Sequence, residues 1–134
     1  MSFWLLKTEP GTYAFSDLER DGKTRWDGVS NNLALKNLRM MTKGDLVLIY
    51  HTGEERSIVG IAEVVSAPYA DPKAKDSRLV VVDIKAKKAL KTPVPLSEIR
   101  KKKELSDFVL VRLPRLSVMP VTEKQWNLLL QMAT

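Results

Sequence analysis

The sequence predicts a single α+β domain over residues 1–134, with a mixed, curled, barrel-like sheet and short helices packed around it. Three observations lead there. A chain of 134 residues is the length of one ordinary domain. Its β-rich runs follow one another across loops, without the regular strand–helix–strand alternation of a doubly wound parallel sheet. A hydrophobic share of 44% and a charged share of 28% fit a globular chain.

The elements follow in order. Phe3 to Lys7 mixes aromatic and aliphatic residues and stops at Glu9-Pro10-Gly11, so it reads as a buried strand. Ser16-Asp17-Leu18-Glu19 has capping-box spacing, and Asp21-Gly22 stops the short helix that it opens. Asn31 to Met41 repeats Ala34, Leu35, Leu38 and Met41 at helical spacing behind a cap-capable Asn31, which predicts a second, amphipathic helix ending at Lys43-Gly44-Asp45. Leu46 to His51 and Ile58 to Val65 are β-rich runs separated by a Gly53-containing loop and read as an antiparallel pair. Leu79 to Ile84 is a further strand, and Pro95 to Leu105 a short charged helix behind Pro93. Residues 109–113 and 116–119 read as strands, with Pro114 forcing an edge or an end to pairing. Thr122-Glu123-Lys124-Gln125 is another capping box, opening a last helix with Trp126, Leu129, Leu130 and Met132.

Composition narrows the chemistry. With no Cys and a single His, disulfides, thiol nucleophiles, iron–sulfur clusters and multi-imidazole metal sites are excluded, and no cofactor or metal is expected. No apolar run approaches the ~20 residues of a membrane span. Lys7 and Glu9 interrupt the apolar N-terminus before a signal peptide could form, so the expectation is a cytoplasmic protein without a membrane partner. A net charge of +6 and a pI near 9.6 make polyanion binding a serious idea. Much of the excess sits in Lys85, Lys87, Lys88, Lys91 and Arg100 to Lys103, where a solvated surface is the simpler explanation. Neither a dinucleotide-binding nor a P-loop glycine motif occurs.

Several residues could carry chemistry. His51 stands alone where a strand meets a loop, and the spacing offers neither a nucleophile nor an orienting carboxylate, so a hydrogen-bonding strand-end role outweighs catalysis. Trp26-Asp27-Gly28-Val29-Ser30-Asn31-Asn32 joins a stacking surface to amides that can read a base edge. Against that, Trp26 could plug the core while the asparagines cap a helix. Lys7-Thr8-Glu9 sets a cation, a hydroxyl and a carboxylate at a strand end. Arg112 and Arg115 flank Leu113-Pro114, where they could meet phosphates or cover the sheet with their stems.

Together these stretches resemble the EVE family of the PUA-like superfamily, which also holds the YTH and ASCH domains. The resemblance runs through Trp4-Leu5-Leu6-Lys7-Thr8-Glu9-Pro10, Tyr13, Trp26-Asp27-Gly28-Val29, Asn31, Tyr50-His51, Gly60-Ile61-Ala62-Glu63-Val64 and Arg115-Leu116-Ser117-Val118, across almost the whole chain. It implies a PUA-like mixed β-barrel and a non-enzymatic module for DNA or RNA that holds a flipped, methylated-type base. By the same resemblance Trp26 is a stacking wall, Asn31, Lys7 and Thr8 are polar readers, and Tyr50, His51 and Ser57 form the rim. Arg112 and Arg115 are the candidates for the nucleic-acid backbone. A methyl group offers only apolar area, about 0.8 kcal/mol per carbon unit, so a methyl reader needs enclosing aromatic surface. The alternatives are a hydrolase or transferase acting on a nucleotide, and a small-ligand receptor. The chain departs from the family pattern at Ser30, Asn32 and Leu79, where Arg, Tyr and Trp are common.

Overall fold

Strand β1 (Phe3–Thr8) threads the interior of the sheet, parallel to β3 (Leu46–His51) on one side and antiparallel to β7 (Val118–Val121) on the other. The computed structural model describes residues 1–134. Between β1 and β3 lie α1 (Phe15–Asp21), β2 (Lys23–Trp26) and α2 (Asn32–Arg39). After β3 come β4 (Ser57–Val64), β5 (Tyr69–Ala70) and the long β6 (Val80–Pro95). Then follow α3 (Leu96–Arg100), a 3₁₀ turn at Lys103–Leu105, α4 (Val109–Arg112), β7 and α5 (Glu123–Met132). The strand order is β2-β6-β4-β3-β1-β7, with β5 added to β6. Helix α2 touches both β7, at one edge of the sheet, and β6, next to the other edge, so one helix spans the opening of the curled sheet. No helix is long and apolar enough to cross a membrane.

The core follows the hydrophobic pattern. Leu5, Leu6, Leu48, Ile49, Ile58 and Ile84 from four strands are almost fully buried, in one apolar cluster with Leu35 and Leu38 of α2. Phe3 stacks on Trp126 at 4.6 Å, which seats α5 on the start of β1. Asp45, 2% exposed, accepts hydrogen bonds from Ser2 N, Thr42 N, Thr42 Oγ1 and Trp4 Nε1. Burial opposes its ionisation, but these donors outweigh that and hold its carboxyl below the usual carboxylate range. The ionised carboxylate therefore adds stability above the ordinary range, and that contribution is lost as pH falls through the lowered value.

Several elements differ from expectation for identifiable reasons. Helix α1 begins at Phe15, one residue before the expected cap Ser16. Asp17 Oδ2 accepts the Ala14 N–H at 2.8 Å, because Phe15 must bury its ring and give its own N–H to His51. Strand β2, polar and short, was unexpected and forms as an edge paired to β6. β6 continues through the lysine-rich stretch to Pro95, since β4 pairs with it from Ile84 to Ala89 and again, past an irregularity, at Val94 and Pro95. Consequently the helix expected over Pro95–Leu105 starts only at Leu96, and it breaks into α3 and the 3₁₀ turn. Residues 109–112 are helical, not extended, with Leu110 inserted into the core. The last strand is displaced to Val118–Val121, and its position at the sheet edge tolerates Pro120.

Candidate nucleic-acid interface

Successive side chains of a strand point to opposite faces, and at the end of β1 this sends Lys7 and Thr8 into two different cavities.

Thr8 borders a cavity of about 430 Å³ walled by Tyr13 and Trp26, with Thr12, Thr24, Arg25 and Asp27 around it. Its geometry comes from how α1 docks. The Phe15 ring lies so close to Gly60 that a Cβ there would come within 2.4 Å of it, so β4 needs glycine at this point. Phe15 N–H donates to His51 Nε2 at 2.9 Å, and His51 Nδ1 meets Glu55 Oε2 at 2.9 Å. These partners place the imidazole proton on Nδ1 and occupy the Nε2 lone pair. Thr8 Oγ1 donates to Tyr13 O at 2.6 Å, and Tyr13 OH donates to Asp21 Oδ2 at 2.9 Å, holding the ring at both ends. Tyr13 meets Trp26 edge to face, with centroids 6.3 Å apart and planes at 78°. Burial raises the Tyr13 pKa, so the phenol stays protonated. Arg25 Nε donates to Tyr69 OH at 3.2 Å, and Tyr69 OH donates to Asp83 at 2.6 Å. Asp27 is exposed on the cavity wall and forms no ion pair, and Gly28 follows it with φ 80° to turn the chain away.

Lys7 borders the second cavity, about 200 Å³, with Tyr50, Arg56, Arg100 and Pro114. Its Nζ donates to Pro114 O at 2.6 Å and lies 5.6 Å from the centre of the Tyr50 ring. Burial lowers the pKa of this half-buried amine. Burial likewise raises that of the Tyr50 phenol, against the pull of Arg56 and Arg100. A third groove, about 370 Å³, runs between Asn31, Leu33, Leu113 and Arg115.

The expected site residues thus divide. Trp26 and Thr8 share the aromatic cavity, Lys7 and Tyr50 the cationic one, and Asn31 and Arg115 the third groove. Trp26 is 8% exposed, so it both packs in the core and walls a cavity. Asn31 caps α2 through its Oδ1 and the Ala34 N–H. His51 and Ser57 do not stand on a rim: both are buried, and Ser57 Oγ donates to Glu55 O. The orienting carboxylate that the spacing around His51 did not suggest is Glu55. Arg112 is exposed and outside these three cavities. Of the departures from the family pattern, Asn32 Oδ1 accepts from Arg78 Nη1 at 2.6 Å. Tyr13, Thr24 and Asp27 were missed as cavity walls, although Tyr13 and Asp27 lie in the resemblance. Arg56 carried no local signal, and Arg100 stood out only as the first residue of a basic run. No group of three or more His, Asp or Glu side chains is placed to hold a metal ion.

Comparison with known proteins places the fold. Human thymocyte nuclear protein 1 is 27% identical over 98% of this chain and 73% of its own length. Its crystal structure in complex with DNA containing 5-methylcytosine superposes with a TM-score of 0.90 at 26% identity, covering 99% of this chain and 98% of that one. An NMR structure from Rhodopseudomonas palustris is 38% identical, with a TM-score of 0.94 over 99% of this chain and 93% of that chain. An ASCH protein from Zymomonas mobilis shares the fold alone, with a TM-score of 0.59 at 9% identity over 98% of each chain. The EVE domain family matches residues 2–132, and with the sheet, the helices and the β1 end all in place, this chain belongs to the EVE domain family.

Proposed function

We propose that the protein binds nucleic acid carrying a modified base and holds that base, turned out of its strand, in the cavity between Tyr13 and Trp26. The observation that carries this reading is the cavity itself: two aromatic rings fixed edge to face, with an unpaired carboxylate and three threonines around them. Aromatic surface rewards a methyl group, which offers no hydrogen bond. The Asp27 carboxylate can accept from an exocyclic amine, as carboxylates do from cytosine N4. The human relative bound to 5-methylcytosine DNA supports a modified pyrimidine as the first ligand to try.

Binding without turnover belongs to the same reading. The only imidazole has its Nε2 lone pair committed to Phe15 N–H, and is therefore no free base. The test is a titration of short DNA and RNA strands bearing cytosine, 5-methylcytosine or 5-hydroxymethylcytosine, with product analysis afterwards. Modified strands should bind more tightly and be recovered intact. Equal affinity for all strands, or a product lost in His51→Ala, would defeat the reading.

A further inference from the structure

We infer that the cavity around Tyr50 is a seat for a terminal phosphate monoester, so that the ligand is a nucleotide or strand end whose own 5′-phosphate is bound beside its base. Lys7, Arg56 and Arg100 converge on this space, and no carboxylate lines it. Some basic residues are neutralised by neighbours, Lys85 and Lys87 by Glu63, Lys101 by Glu98, and Arg20 by Asp17 and Asp21; the three here share one concave space instead. Arg56 and Arg100 form no ion pair, and Arg56 spends only its Nε, on Gly53 O. Their free guanidinium edges suit the bidentate recognition of phosphate oxygens. Glu9 is turned to the Thr52 side, where its Oε2 lies 3.4 Å from Thr52 Oγ1 and its Oε1 accepts from Gly11 N, while Glu54 and Glu55 line an adjoining cavity on the other side of Arg56 and Arg100. The seat therefore lies towards Lys7, Arg56 and Arg100.

Charge and size select the monoester. Three cations would face a single negative charge on a diester, but about −1.5 to −2 on a monoester at neutral pH. A cavity of about 200 Å³ falls below the roughly 300–1,000 Å³ of pockets that enclose a whole small ligand. It fits one phosphate group and leaves the base to be held elsewhere. That other place lies across the end of β1, where Lys7 borders this cavity and Thr8, the next residue, borders the aromatic one. A nucleotide, whose base and 5′-phosphate are separated by one sugar, can straddle the end of β1. The link between seat and base rests on the function proposed above.

The experiment compares five probes on the full chain, each made with cytosine and with 5-methylcytosine: the nucleoside, its 5′-monophosphate, a trinucleotide with that base first, with and without a 5′-phosphate, and a trinucleotide with that base in the middle. The 5′-phosphorylated ligands should bind about ten-fold more tightly, the worth of one charge-assisted contact. Arg100→Gln should abolish that gain with an unchanged unfolding midpoint, Arg100→Lys should keep part of it, and Lys101→Gln, one residue away, should keep all of it. Equal affinity with and without the phosphate overturns the seat, as does equal loss in Arg100→Gln and Lys101→Gln. A trinucleotide with the modified base in the middle that binds as tightly as the 5′-phosphorylated one overturns the choice of monoester over diester. A preference for modified bases that survives without a phosphate gain leaves the base reading standing and removes the seat. A phosphate gain blind to the base does the reverse.

Discussion

Thr8 and Lys7 are neighbours in sequence, yet one borders an aromatic cavity and the other a cationic one. The aromatic side is built from the β1–α1 and β2–α2 segments and is held by short hydrogen bonds and by the Phe15–Gly60 contact. The cationic side is assembled from chain ends far apart in sequence, the β3–β4 loop, the end of α3 and Pro114. The pleat of a single strand is what separates them. The proposed contact with a base and the proposed contact with a phosphate thereby fall on opposite faces of β1, where each can be tested without the other.

The largest effect should come from loosening the aromatic side at its anchor. Phe15→Ala removes a buried ring and should cost about 3–5 kcal/mol of stability. In urea titrations the unfolding midpoint should fall, and any folded protein should lose its preference for modified strands while retaining salt-dependent binding. A variant that loses both together would mean that the two cavities are one unit.

Trp26→Ala should be milder for the fold's ends but direct for the ligand. Loss of a stacked base is worth ~1–3 kcal/mol, read as weaker binding of modified strands with an unaltered salt slope. Equal weakening for modified and unmodified strands would return Trp26 to a purely structural role.

Third in size is the contrast between surface cations. Arg115 borders a groove beside the cationic cavity, whereas Lys101 is answered by Glu98 and Lys102 stands exposed on the turn after α3. Arg115→Ala should lower both affinity and the salt slope, the latter by about 0.7 for each phosphate of a single strand that is no longer neutralised. The double replacement Lys101→Ala with Lys102→Ala should leave the slope nearly as it was, and the opposite order in a salt titration would move the nucleic-acid track to another face.

The smallest effect is a pH signature. Because burial lowers the Lys7 pKa, this amine loses its charge as pH rises, before ordinary lysines do. Affinity for phosphate-bearing ligands should therefore decline on the alkaline side, earlier than in a Lys7→Arg variant, while the modified-to-unmodified ratio stays level. A ratio that falls with the affinity would show that Lys7 contacts the base.

Much of this was legible in the chain because it is local. The β1, β3 and β4 strands announce themselves by composition, and the Asn31 and Thr122 caps by side chains that satisfy N–H groups three residues away. The resemblance also pointed to Trp26 and Thr8, which do share a cavity. What failed was non-local. β2 and the far half of β6 are polar and become strands only because a partner's ladder is beside them. Residues 109–113 look extended by propensity, but 109–112 turn into α4, where Leu110 reaches the core. His51 and Ser57 looked like rim residues until the fold buried them.

The sequence by itself determined the family, the mixed α+β class, the absence of thiol and multi-imidazole chemistry, and the aromatic and amide content of the Trp26 to Asn32 stretch. Those depend on residue identity and on spacings of three or four residues. The tertiary structure alone decided that Lys7 and Thr8 part company, that Arg56 and Arg100 line one cavity with Lys7 and Tyr50, and that His51 spends its lone pair on Phe15. Each of these joins residues brought together by strand pairing and helix docking, and the free energy that selects such contacts comes from burying the whole core rather than from any local preference of the residues that touch.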